Sequence, residues 1–187
     1  MSDLMPPLII ISGPPGAGKS TLARPLANTL GLPLLEKDAV KERFADALGE
    51  TAFDLAGKLG LAAIKDLYTS TAEVLRSGQG IVIESFFHKG LAEPELAPLI
   101  EVSNALLIHI RADHAVLLSR YERRLQDPTR HPIHEVGNRI GDLKHYLLEG
   151  VADPLDLDIP RIVIDTTFGP IDVDEVAFMV QEMLDLK

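Results

Sequence analysis

Apolar residues along this chain fall into two alternating patterns. Short continuous runs at residues 8–11, 32–36, 81–83, 105–110 and 161–164 read as strands of a parallel sheet buried on both faces. Between them, apolar positions recur at helical spacing. A helix from Ser20 to about Leu30 carries Pro25 inside it, where a kink or irregular turn is expected because proline usually costs about 3 kcal/mol there. A second runs through Val40, Phe44 and Leu48, with Asp38 placed to cap it. A third spans residues 54–76 on Leu55, Leu59, Ala63, Leu67 and Val74, weakened near its start by Gly57 and Gly60. A proline-interrupted helix over residues 91–100 follows, then one capped by Asp113 with Leu117, Tyr121 and Leu125 facing the core. Val136, Ile140, Leu143 and Leu147 define another, and residues 173–186 a closing helix.

Strands that alternate with helices imply a three-layer α/β/α fold, here with a five-stranded parallel sheet. No repeat or linker divides the chain, so residues 1–187 are expected to form one domain. Ligands in such sheets bind beyond the carboxyl ends of the strands. That rule nominates the loop after the first strand, Asp38, Glu84, and Thr166 with Thr167.

The first of these is Gly13-Pro14-Pro15-Gly16-Ala17-Gly18-Lys19-Ser20, followed by Thr21, which matches G-x-x-x-x-G-K-[ST] between an apolar strand and a helix. A polyphosphate wrapped by backbone N–H groups requires side chains to be absent, and the glycines meet that need. The following helix aims its free N–H groups at the anion, Lys19 reaches the β- and γ-phosphates, and the Ser20 hydroxyl ligates Mg²⁺. ATP and Mg²⁺ are the expected ligands.

Charge and composition narrow the partners. A net charge of −10 argues against a sequence-independent grip on nucleic acid. The absence of cysteine excludes disulfides and thiolate metal sites. No apolar run approaches the length of a membrane span and the N-terminus lacks a positive leader, so a soluble, cytoplasmic protein is expected.

Phosphoryl transfer also needs positive charge at the moving group and a residue that orients the acceptor. Asp38 is the candidate for the second role, and a helix cap is its equal alternative. Glu84 ends a strand as a carboxylate near magnesium would, or as a merely solvated one. Arg120, Arg124 and Arg130 stand where a lid over about residues 120–135 could clamp phosphates, while Arg123 reads as solvated. His131 and His134 have the spacing of a metal pair, but the missing cysteines and intervening Pro132 argue against one. One of Phe86 and Phe87 is expected in the core, the other against an acceptor.

The ordered set formed by residues 13–21, 37–43, 83–87, 120–124, 130–134 and 164–167 resembles the small P-loop kinase-like proteins labelled AAA-family ATPases or predicted kinases. These are related to the kinase domain of polynucleotide kinases and more distantly to shikimate, gluconate and chloramphenicol kinases. The resemblance implies a nucleoside-kinase-like fold with Asp38 as the acceptor-activating aspartate and Arg120 and Arg124 as lid arginines. It also implies that the segment from Thr166 to Pro170, Thr167 included, lies beside the nucleotide base. Glu84 departs from the pattern, since related sequences often carry aspartate there. The expected activity is transfer of the γ-phosphate of ATP to a hydroxyl of a small molecule. A polynucleotide 5′-hydroxyl kinase and a nucleotide-dependent switch are the alternatives. A GTPase form of that switch is disfavoured: no N-K-x-D occurs, and Asp46 to Gly49 and Asp54 to Gly57 match D-x-x-G only as strings in helical segments.

Overall fold

Residues along the first strand alternate between two cores, and that alternation builds the layers. The computed structural model describes residues 5–134 and 139–186. In β1 (Pro7–Ser12), Leu8 and Ile10 point to one side of the sheet and Ile9 and Ile11 to the other, all four fully buried. Parallel partners β3 (Ile81–Glu84) and β4 (Asn104–Arg111) flank it, and β2 (Leu34–Glu36) and β5 (Arg161–Asp165) form the edges, in the order β2-β3-β1-β4-β5. The chain winds outward to β2, returns through β3 beside β1, then crosses to β4. The reversal therefore falls around β1, whose carboxyl end carries the glycine loop.

Ile9, Ile11, Leu106 and Ile108 pack against α1 (Lys19–Leu30), α5 (His114–Leu125) and α7 (Val173–Leu184). Leu8, Ile10, Ile83 and Leu107 pack against α3 (Ala56–Arg76) and α4 (Glu93–Ile100). A third, smaller cluster joins Ala45 of α2 (Lys37–Leu48), Ala56, Leu59 and the fully buried Ile133. Ile133 lies in a short 3-10 turn, Pro132–His134, ahead of α6 (Arg139–Leu148).

The elements depart from the pattern-based reading in informative places. Helix α1 runs unbroken through Pro25, because Leu22, Ala23, Leu26 and Ala27 on either side are buried and hold it against the sheet. The N-cap position of α2 belongs to Glu36, and Asp38 sits inside the first turn without capping it. Asp113 does occupy the N-cap of α5, but its side chain makes no capping bond. Val136 lies outside the described residues.

Gly13 closes β1 at φ 140°, and a Cβ there would collide with the backbone carbonyl of Ile110 on β4. We expect Gly13→Ala to cost on the order of 2 kcal/mol, lowering the thermal midpoint by about 4–8 °C in circular dichroism melts. An unchanged midpoint would show that β1 and β4 can separate at this end.

Candidate active site

The turn after β1 ends at Gly18, which adopts a left-handed conformation (φ 102°) at the N-cap of α1. Neither a capping side chain nor an acidic residue occupies the first turn of this helix, so its positive end is not neutralised from within. Lys19 curls back and donates to the Pro14 carbonyl at 3.2 Å. Its ammonium also lies 3.9 Å from Glu84, which the pairing of Ile11 with Glu84 places next to the loop. The Ser20 hydroxyl donates to the same carboxylate at 3.0 Å.

Both charges are nearly buried, with side-chain exposures of 11% and 7%. Burial lowers the Lys19 pKa against the pull of Glu84 and Asp38, and raises that of Glu84 against the pull of Lys19. For each, burial outweighs the neighbouring charge that opposes it.

Asp38 stands across the cleft from this pair. Lys37 donates to its Oδ1 at 3.3 Å. Burial alone would raise the Asp38 pKa, yet Lys37, His134 and Lys19 together bring it below the usual carboxylate range. Asp38 is therefore an ionised carboxylate whose side chain is about half exposed, and it lines the cleft.

One cleft of about 520 Å³ joins these groups, with Lys19, Ser20 and Glu84 on one wall, Asp38 on another, and Arg124 and Arg130 on the side of α5. Arg130 lies with its guanidinium carbon 5.4 Å from the centre of the Tyr121 ring. Its Nε and Nη1 are buried without a hydrogen-bond partner among the described residues. Arg124 is exposed, and Arg123 is exposed outside the cleft.

Arg120 is placed differently from the other two. It donates to the Thr166 carbonyl at 2.7 Å, to Thr166 Oγ1 at 2.8 Å and to the Gly16 carbonyl at 3.4 Å. The Thr166 hydroxyl in turn donates to the Ala17 carbonyl at 3.0 Å. Arg120 thus ties the segment after β5 to the glycine loop. Thr167 accepts from the Asp113 backbone N–H and does not line the cleft, and Thr21 is exposed on α1.

The two histidines at metal-like spacing meet carboxylates of α2 instead. His131 pairs with Asp46 at 3.1 Å and His134 with Glu42 at 2.8 Å. No cluster of three or more potential metal-binding side chains occurs among the described residues. Phe87 is buried beside Tyr68, Phe86 is half-buried, and both border the cleft.

Several cleft residues were missed from sequence: Lys37, Lys41, Tyr146, and Gly57 and Gly60 as open positions. A signal existed for the α3 residues, because 57, 60, 61, 64 and 68 form one helical stripe. Nothing local marked Tyr146, which reaches the cleft from α6.

A glycine loop between a buried parallel strand and a helix, with a lysine, a serine and a neighbouring-strand carboxylate converging beside it, defines a P-loop nucleotide-binding protein. Residues 9–139 match the AAA domain family, and the chain belongs to it as a small P-loop kinase-like protein. It is 28% identical over 169 residues to a shikimate kinase of Halorhodospira halophila, covering 88% of this chain and 86% of that one. Against a shikimate kinase of Marinomonas sp. the identity is 31% over 168 residues, with coverages of 86% and 83%. A solved structure from Chloroflexus aurantiacus, assigned as a kinase, superposes with a TM-score of 0.85 at 34% identity over 96% of this chain and 98% of that one. Among the described residues no helix is long and apolar enough to cross a membrane.

The electrostatics of Asp38 are open to direct measurement. In a ¹³C NMR titration its carboxyl should have a midpoint below the ordinary 3.8, moving up toward that value in Lys37→Ala. A midpoint unaffected by the substitution would remove Lys37 as a cause.

Proposed function

We propose that the protein transfers the γ-phosphoryl group of ATP to a hydroxyl of a small molecule. The observation that carries this reading is a single cleft lined by the glycine-loop lysine and serine, an ionised aspartate, and two arginines. A loop that only bound nucleotide would not require the last three to converge on it.

In the proposed reaction, the acceptor hydroxyl oxygen attacks the γ-phosphorus, its proton passes to Asp38, and the bond from that phosphorus to the bridging oxygen breaks to release ADP. Lys19 and the amino end of α1 hold the phosphates, and Arg124 and Arg130 neutralise charge on the transferred group. The buried Nε and Nη1 of Arg130, without a partner among the described residues, are donors that phosphate oxygens would satisfy. Arg120 positions the loop from behind, and Thr167 stands on the side of the loop where the base would lie. The segment from Arg120 to His134 serves as the lid. The net charge of −10 weighs against a nucleic-acid acceptor.

The oxygen donors fit a hard cation: Ser20 Oγ and the Glu84 carboxylate lie 3.0 Å apart at the phosphate end. Ser20 would hold Mg²⁺, with Glu84 beside it. When bound, that ion supplies charge neutralisation at the β- and γ-phosphate oxygens.

ADP release measured with Mg²⁺ and ATP against a panel of small alcohols tests the reading. Turnover should depend on one acceptor class and vanish in Lys19→Ala. Asp38→Asn should lose about 10²- to 10⁴-fold in kcat while ATP affinity, read by isothermal titration, stays within a few-fold. Unchanged turnover in Asp38→Asn would end its role as proton acceptor.

A further inference from the structure

The cleft does not stop at the phosphates. Beyond Asp38 its wall becomes aromatic: Phe86 lies 4.5 Å from His88 and 5.4 Å from Tyr146, ring centre to ring centre, and His88 lies 4.9 Å from Tyr146. These three rings come from the segment after β3 and from α6, and all line the same cleft as Lys19 and Asp38. Burial, reinforced by Lys37, lowers the His88 pKa and keeps its ring neutral at pH 7, so this wall is uncharged. Leu61 and Leu91, which are 65% and 72% exposed, also border the cleft. Large apolar side chains left this open beside an aromatic cluster are accounted for by a ligand that covers them.

Gly60 adds an independent observation. It occupies the interior of α3, where glycine weakens a helix relative to alanine, and it faces the cleft. Its φ is not left-handed, and a Cβ built there would meet nothing within 4 Å. Neither backbone conformation nor packing accounts for glycine at this position, whereas a flat ligand in the adjoining space does.

Fixed charges of both signs line the cleft, with Arg124 and Arg130 among the positive ones. Lys19 is committed to the Pro14 carbonyl and Glu84, Lys37 to Asp38, and Lys41 donates to the Ile133 carbonyl. Lys65 shares the outer wall with two carboxylates, Glu95 and Asp142.

We propose that the acceptor is an alcohol bearing a planar aromatic ring, with the ring against Phe86 and Tyr146 in the space left open at Gly60 and the hydroxyl turned toward Asp38. This assignment rests on the kinase reading above and specifies its substrate class.

Saturation-transfer NMR on the intact protein reports binding without requiring turnover. The probes are 2-phenylethanol and 1-phenyl-1,2-ethanediol, with shikimate and D-gluconate as polyhydroxy acids, and ADP release is followed in parallel with Mg²⁺ and ATP. The ring protons of the two aryl alcohols should saturate most strongly. Phe86→Ala and Tyr146→Ala should each weaken binding several-fold, up to about tenfold. Gly60→Leu should remove the ring contact while raising the thermal midpoint by about 2–4 °C, which separates a filled cleft from a damaged fold. Shikimate or gluconate binding and turning over without aryl binding would overturn the aromatic assignment and leave the kinase reading intact. Aryl binding that is lost in these variants, with no ADP release from any alcohol, would sustain the aromatic wall and overturn the kinase reading. Aryl binding unchanged in all three variants would overturn the assignment.

Discussion

An ammonium and a carboxylate buried 3.9 Å apart, Lys19 and Glu84, impose the conditions that the rest of the site must satisfy. Removing either charge from water is costly, and their attraction offsets that cost only while the geometry is kept. The geometry is a property of the sheet. Glu84 reaches the loop because β3 pairs with β1 in the register that sets Ile11 opposite Glu84. A slip of one residue would turn the carboxylate to the other face. Buried ion pairs are weak sources of stability, and under the proposed function this one gathers fixed charges and a hydroxyl where phosphate oxygens and a hard cation would bind.

A second layer of polar contacts governs the opposite wall. Asp38, Glu42 and Asp46 are spaced four residues apart on α2 and share one face of that helix. Asp38 faces the cleft, while Glu42 and Asp46 hold His134 and His131. Lys41 adds a bond to the Ile133 carbonyl, and Ile133 itself is fully buried against Ala45 and Leu59. Arg130 immediately precedes this anchored turn, so its position follows from the same helix that carries the proposed proton acceptor. The Asp38 carboxylate and an arginine from a distant part of the chain are thereby linked through α2.

Much of this was legible in the chain because burial on both faces leaves a continuous apolar run, which β1, β3 and β4 all display. Strand order was not legible, since runs of Ile, Leu and Val carry no record of their neighbours. The glycine loop announced itself because backbone wrapping demands a composition that few other structures need. Asp38 reads equally as cap or acceptor in the sequence, and the structure removes only the cap, since Glu36 holds that position. The spacing of His131 and His134 was ambiguous for a different reason: their partners, Asp46 and Glu42, lie about ninety residues earlier, and only the docking of the turn onto α2 brings them together. Gly57 and Gly60 registered only as a weakness in a helix, because propensity shows that a residue is costly without showing what space it keeps open.

Arg120 and Arg124 illustrate the limit of spacing most sharply. They are one helical turn apart on α5 and look interchangeable in sequence. Arg120 sends its planar fork to the Thr166 carbonyl and hydroxyl and to the Gly16 carbonyl, while Arg124 stays exposed at the cleft. A guanidinium suits the first position because several donors in one plane reach acceptors on separate segments, which a lysine ammonium on its flexible stem does not reproduce. The glycine loop is thus braced by Arg120 and by a strand-end threonine that also donates to the Ala17 carbonyl. Preorganisation of this kind lets backbone N–H groups meet an anion without first losing conformational freedom, and it frees Arg124 and Arg130 to respond to what enters the cleft.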